Sequence, residues 1–383
     1  MNSRGLEALD KAGILEDVQA VSMERRQVIL ESSDGQQQQI PKNPSHYAVT
    51  RPALVECLEN IVQTKYADKV TIQRGVEVNH ISTCPIRENS GEKKFDGGNS
   101  VPEENQKLIL TLDNGSTISC THVIGADGKW SAVRNSIVDW KDQFQVQPEP
   151  AFGISITPSV IPQRWRQDAT TVFRPKNSHK YYVLAAPLPG GRFSVSVVCF
   201  DEIREDHSWM VPPDGQDTLD WIAEYGAGGG VEAADEVWLQ DKISELLQQD
   251  LPIFFEDIRG KESLSTARIN RRTSWLKPLS DHPHYCDKTG RVALVGDAAH
   301  AMTPSIGEGC NCALESAVFL RHCLSTLSPI EQRVEDNQGQ HVTIESLTQA
   351  FRDYGVKRPP QVLPIQLKSA SSNRYEVLET TPR

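Results

Sequence analysis

The residues best suited to chemistry lie between Arg291 and Cys323, RVALVGDAAHAMTPSIGEGCNCALESAVFLRHC. Val292 to Val295 is an unbroken apolar run of the length expected for a strand buried on both faces, and Gly296-Asp297 falls where that strand would end. Thr303 to Gly309 holds a proline and two glycines and reads as loop. A helix is expected from Cys310, with Ala313, Leu314, Ala317 and Val318 on its inner face. A strand, a glycine-bearing loop and a helix N-terminus in this order let backbone N–H groups converge on an electron-rich ligand. Asp297 adds an acceptor for ligand hydroxyls. Together Asp297, Pro304 and the backbone of Gly307, Gly309, Cys310 and Asn311 suit a cofactor carrying both a polyol and a delocalised anion, since glycine permits close approach to a flat ring.

Other candidates are weaker. Asp127, in Gly125-Ala126-Asp127-Gly128, is either a cofactor contact or a turn residue, and the contact is favoured. Arg134 could balance phosphate charge or form a surface ion pair. His300 is expected to pack inside the loop, and His282 and His284 to face solvent. Cys310-Asn311-Cys312 is not a metal site, because no further His or Cys stands at ligand spacing.

These residues must be positioned by a mixed fold. Ser3 could cap a first helix over Leu6 to Asp10, and Arg51-Pro52 opens a second whose Leu54, Leu58, Ile61 and Val62 share a face. Val70 to Ile72 and Val76 to Ile81 read as short strands. Two hairpins follow, Leu108–Leu112 with Ser116–Cys120 through Asp113-Asn114-Gly115, and Tyr181–Leu188 with Phe193–Phe200 through Pro189-Gly190-Gly191. Residues 83–106 and 327–343 are polar insertions, and 205–262 are mostly helical around the glycine run 226–230. The fold class is α/β (α+β).

With 383 residues, 38% hydrophobic and 24% charged, the chain is in the globular range. Its net charge of −11 disfavours nucleic acid as a partner. No apolar run has the roughly 18 residues of a bilayer span, and no signal peptide heads the sequence. Eight scattered cysteines without a CxxC pair read as cytosolic thiols.

The 291–323 segment resembles the second FAD signature of the aromatic-ring hydroxylase type of flavoprotein monooxygenase, GDAAHxxxPxxGxGxNxAxEDA. It stands here as Gly296-Asp297-Ala298-Ala299-His300, Pro304, Gly307, Gly309, Asn311, Ala313 and Glu315-Ser316-Ala317, departing at Ser316. Gly125-Ala126-Asp127-Gly128, Ser131, Val133 and Arg134 look like the family's middle motif, GADGxxSxVR, which lies near the nucleotide part of the flavin and the nicotinamide entry route. Arg51 matches the family arginine that contacts the ribityl or phosphate region. Kynurenine 3-monooxygenase-like proteins are the nearest subfamily, and Arg25-Arg26 falls near the position where those enzymes hold a substrate carboxylate, with Arg26 as the candidate.

The resemblance implies FAD as cofactor, NAD(P)H as electron donor and O2 as co-substrate for hydroxylation or epoxidation of a small aromatic or olefinic compound. It implies a Rossmann-like FAD-binding domain in two parts, 1–150 and 285–326, an antiparallel-sheet substrate domain over 151–284 and a helical region over 327–383. The sequence departs at the family's opening strand, G-x-G-x-x-G and helix, which rests the pyrophosphate on a helix N-terminus. Met1 stands where the family has spent roughly 40 to 50 residues on that unit, and Gly226-x-Gly228 and Gly307-x-Gly309 meet Val231 and Cys312 at the sixth position. The first domain is therefore expected to be N-terminally incomplete and to hold FAD weakly. The alternatives are a remnant that binds no FAD, or a flavin reductase on the same scaffold. Location is expected to be cytoplasmic or organellar.

Overall fold

A computed structural model describes residues 1–85, 106–137, 140, 142–148, 151–175, 180–200, 233–269, 274–326 and 344–371. Helix α1 (Ser3–Ala12) is capped by Asn2, one residue before the expected Ser3, because the Asn2 side chain accepts from the N–H groups of Arg4 and Gly5. Gly13 ends it in the left-handed conformation at φ 73°, and Ile14 N–H returns to Leu9 O. After α2 (Leu15–Ala20), β1 (Met23–Ser32) and β2 (Gln37–Ala48) form an antiparallel pair. Helix α3 (Arg51–Lys65) starts at the expected proline, with Thr50 capping Ala53 N–H. Residues 70–72 join no ladder, contrary to the expected strand, and Val70 and Ile72 are exposed. The next strand is β3 (Val78–Pro85), which builds a three-stranded antiparallel sheet with β4 (Gln106–Leu112) and β5 (Thr117–Cys120). Gly115, at φ 79°, makes the expected turn between the last two. The polar insertions at 83–106 and 327–343, and the glycine run at 226–230, lie largely outside the described residues.

Two further ladders have two strands each among the described residues. β6 (Val123–Gly125) and β14 (Val292–Leu294) run parallel, while β7 (Phe144–Pro148) and β13 (Ser274–Pro278) are antiparallel. Between β6 and β7 sits the short helix α4 (Ala132–Asn135).

The remaining strands, β8 (Ala151–Ile156), β9 (Ala169–Arg174), β10 (Tyr181–Leu188), β11 (Arg192–Phe200) and β12 (Arg268–Ile269), join β1 and β2 in a seven-stranded sheet of order β12-β8-β11-β10-β9-β1-β2. Only β1 and β9 are parallel neighbours in it. The expected division at residue 150 therefore does not follow the sheets: residues 23–48, assigned to the FAD-binding part, extend the substrate sheet. Local pattern could not show this, since strand partnership across about 140 residues is a tertiary choice.

Alternating residues Ile154, Ile156, Phe173, Tyr181, Val183, Ala185, Val195 and Val197 bury one face of this sheet. They pack with helix α5 (Ala233–Asp250) through Ile243, Leu246 and Leu247, and with α6 (Pro252–Asp257) through Phe254; α7 (Gly260–Leu264) follows. A second core gathers β14 with α8 (Asp297–His300), α9 (Gly309–Ser325), α10 (Ile344–Lys357) and α11 (Pro359–Ser371). In α9 the buried stripe is Cys312, Ser316, Leu320 and Cys323, not the expected Ala313, Leu314, Ala317 and Val318. The helix turns its small and polar side chains inward because buried Arg358 donates to Ser316 Oγ and Cys312 O. All eight cysteines are free thiols.

Candidate functional site

β14 is buried along its whole length and ends at Gly296, which turns the chain at φ 60° and ψ −142°. That turn brings Asp297 to the head of α8. The chain then runs through a tight turn over Pro304–Ile306 to Gly307, at φ 67°, and into α9. Glu308 precedes α9 without a side-chain cap, and the first helical return is Cys312 N–H to Glu308 O. The N–H groups of Gly309, Cys310 and Asn311 thus have no carbonyl partner within their own helix, which leaves the positive end of a 17-residue helix available to an electron-rich ligand.

Asp297 accepts no hydrogen bond among the described residues. Asp297 meets solvent yet is crowded by protein, and this desolvation pushes its pKa above the ordinary carboxylate value. The cations of Lys129 and Arg51 act in the opposite sense, and burial raises the Cys310 thiol, against the Met1 ammonium and with a smaller push from Asp297. Arg51, at the first turn of α3, therefore shares one electrostatic neighbourhood with Asp297 and Cys310. Lys129 belongs there too and was missed, because a lysine at a variable position of a motif carries no signal of its own.

The Asn311 side chain holds the loop in place. Its Oδ1 accepts from Asn2 N–H (3.2 Å), and its Nδ2 donates to Glu308 Oε2 (3.2 Å) and Gly307 O (3.4 Å). It ties the loop to the start of α1. Gly5 is required there, because a Cβ would overlap the Asn311 amide, which cannot withdraw without breaking these bonds. Gly5→Ala is expected to cost about 1–3 kcal/mol, read as a lower melting temperature.

Behind the loop, Arg4 Nε donates to Glu315 Oε1 (2.9 Å) and Arg358 Nη2 to Glu315 Oε2 (3.1 Å). Burial would raise the Glu315 carboxyl, but the hydrogen bonds from Arg4 and Arg358 outweigh it and hold the pKa below the ordinary value. The stabilisation is present above the unfolded carboxyl pKa and is lost as pH falls through the lower folded one, so melting should become more acid-sensitive with Glu315 intact than in Glu315→Gln. Arg358 is 3% exposed, and Arg358→Ala is expected to cost about 3–5 kcal/mol by stranding its partners, measured by denaturant unfolding.

Both Asp127 carboxylate oxygens are occupied within their own turn, Oδ1 by the Ser131 hydroxyl and Oδ2 by Val133 N–H (3.1 Å). In this structure the side chain serves the turn reading rather than the favoured contact. Arg134 is neither a surface ion pair nor a free phosphate counter-charge: it is buried and donates to Ala298 O (2.7 Å) and Lys129 O, fastening the middle motif to α8. His300 is fully buried against Ser316 Oγ (2.9 Å), and burial, with help from Arg358, lowers its pKa to about 3, so it is neutral and structural. His282 and His284 are exposed. Among the described residues no group of three His, Cys, Asp or Glu could hold a metal.

Arg26 points to solvent, paired with Glu24 (2.8 Å). Its neighbour Arg25 faces inward instead: Nη2 donates to Pro187 O (3.1 Å) and Nε is buried without a partner. No carboxylate pairs with it among the described residues, and burial lowers its pKa. Opposite it on β2 stands His46, whose pKa is lowered by burial and by the charges of Lys42 and Arg25. The two arginines differ by one place in a strand, so period two puts them on opposite faces.

Residues 255–328 match the family described as "FAD binding domain". The chain is 22% identical over 335 residues to a kynurenine 3-monooxygenase of Dictyostelium discoideum, covering 86% of this chain and 60% of that protein. It is 27% identical over 236 residues to a salicylate hydroxylase of Pseudomonas putida, covering 58% and 47%. The chain thus spans about half to three-fifths of these relatives. Among solved structures, Klebsiella pneumoniae HpxO in complex with FAD and uric acid superposes with a TM-score of 0.64 at 18% identity, covering 99% of this chain and 80% of that one. The tetrameric 2-methyl-3-hydroxypyridine-5-carboxylic acid oxygenase does so at 0.60 and 20%, covering 98% and 79%. No helix among the described residues is long and apolar enough to cross a membrane. With the glycine-turned Asp297, the uncapped head of α9 and the middle motif in place, the chain is similar to FAD-dependent monooxygenases, and its residues 255–328 match an FAD binding domain.

Proposed function

We propose that this chain holds FAD for oxygenation of a small aromatic compound bearing an anionic group, with NAD(P)H as electron donor and O2 as co-substrate. FAD, when bound, supplies the redox chemistry. The observation that carries the reading is the unpartnered Asp297 carboxylate beside an uncapped α9 N-terminus, with Arg51 close enough to act on its charge. This donor set fits the cofactor: Asp297 would accept from ribityl hydroxyls, Arg51 and Lys129 would face phosphate, and the N–H groups of Gly309 and Cys310 would stabilise negative charge on the ring. Pro304 and Gly307 shape the loop against the ring face. Asn311 and Asp127 contribute by holding that loop and the middle motif in place.

The seven-stranded sheet supplies the substrate side, chiefly residues 151–275 with β1 and β2. Arg25 is the anchor: a half-buried cation without a carboxylate invites one from the ligand. Relatives named for kynurenine and salicylate act on aromatic carboxylates, in line with that anchor. The test is NAD(P)H oxidation by the FAD-loaded chain with benzoate-type carboxylates and their neutral amides. Stimulation by the acids alone supports the reading; equal stimulation by the amides, or none by either, overturns it.

A further inference from the structure

We infer that His46 is the second anion contact of the substrate site and takes up a proton from solvent when a carboxylate binds beside Arg25, which rests on the anionic-substrate reading above. Arg25 and His46 are direct cross-strand partners in the β1–β2 ladder, so their side chains leave the same face with Cβ atoms about 4.5–5.5 Å apart. Both are half-buried. Beyond them the register jumps to Gln27 opposite Pro41, which leaves residues 42–45 of β2 without partners in β1. An irregularity of this kind bends the strand and re-aims its side chains. The pair also stands beside the cofactor loop. Tyr47 N–H, next to His46, donates to Met1 O (2.8 Å), and Asn2 N–H donates to Asn311 Oδ1 (3.2 Å). Arg25 and Cys310 both act on the charge of the Met1 amino group, so a carboxylate at Arg25 would lie between the sheet and the head of α9.

A carboxylate brings two oxygens that each accept. Arg25 Nη2 is committed to Pro187 O, and its buried Nε–H can meet one of them. A protonated imidazole opposite can meet the other. The His46 ring makes no hydrogen bond among the described residues, so it is free to do so. The charges that act on it are Lys42 from its own strand, Arg25 from β1 and the Met1 amino group ahead of α1, all cations. With burial they lower its pKa below the ordinary imidazole value, so His46 is neutral near pH 7 in the free chain. A bound anion within hydrogen-bond reach favours the charged ring and raises that pKa again. Affinity for the anion therefore rises as pH falls through the raised pKa of the complex, and levels off below the lowered pKa of the free chain.

The experiment is calorimetric titration of the FAD-loaded chain with benzoate and with benzamide, in buffers of unequal ionisation heat, between about pH 5.5 and 8.5, where a carboxylate stays ionised. Benzoate should bind about tenfold more tightly at the acid end, with net uptake of up to about one proton, and benzamide should show neither effect. His46→Gln keeps a donor and removes the titration, so it should bind benzoate with one affinity across the range and without uptake. Should that variant fail to fold, NMR of the wild type decides: the imidazole in nuclear Overhauser contact with bound benzoate must titrate at higher pH with the ligand than without it. Benzoate binding that is lost in Arg25→Leu yet is independent of pH, or proton uptake that persists in His46→Gln, overturns the role of His46 and leaves Arg25 as the anchor. Equal binding of benzoate and benzamide by the wild type overturns both.

Discussion

Asp297→Ala is expected to weaken FAD binding about ten- to hundredfold while leaving the fold intact. A carboxylate that accepts ligand hydroxyls is worth on the order of 1.5–3 kcal/mol, and this one accepts no hydrogen bond from the described protein. Its raised pKa fixes the sign of the stability effect. The folded chain binds the Asp297 proton more tightly than the unfolded chain, so the ionised group opposes folding at neutral pH, and that opposition fades as pH falls through the raised folded value and is gone below the unfolded value of about 3.9. Asp297→Asn should therefore melt at or above the wild-type temperature at pH 7 and match it near pH 3.5. Flavin titration and thermal melting on the same preparations check both halves; loss of folding with loss of flavin would make Asp297 structural instead.

Arg25→Leu is expected to raise KM for an anionic substrate by about ten- to hundredfold, the value of a charge-assisted hydrogen bond, with kcat less affected. Because Arg25 is a half-buried cation without a carboxylate partner among the described residues, the same change should not lower the melting temperature. Arg26→Leu, which removes only a solvent-facing pair with Glu24, should leave KM alone. Steady-state kinetics across acid and amide pairs measure the difference, and equal effects at both positions would count against Arg25.

Much of the site was legible because its constraints are local. An apolar run ending in Gly296-Asp297 and a loop with Pro304, Gly307 and Gly309 specify a strand, a turn at positive φ and a helix start without reference to the rest of the chain. The same holds for the two hairpins, whose turns carry Gly115, Gly190 and Gly191 at φ between 73° and 79°. What stayed hidden depends on partners distant in sequence. The choice between Arg25 and Arg26 is a choice of strand face, made when β1 pairs with β9 and an irregularity between Arg25 and Gln27 sets the register with β2. The inner face of α9 was misjudged because hydrophobicity pointed to Ala317 and Val318, whereas Arg358 from the next helix pair demands Ser316 and a carbonyl. Val70–Ile72 has the composition of a strand but finds no strand to pair with among the described residues.

The most direct test of the central claim is a titration of the purified 383-residue chain with FAD, followed by flavin fluorescence and absorbance near 450 nm, in parallel with Asp297→Ala. The expected result is saturable binding by the wild type, weakened about ten- to hundredfold by the substitution. A folded wild-type chain that binds no FAD, or one whose affinity is the same with and without the Asp297 carboxylate, would contradict the placement of the cofactor between Asp297 and the head of α9.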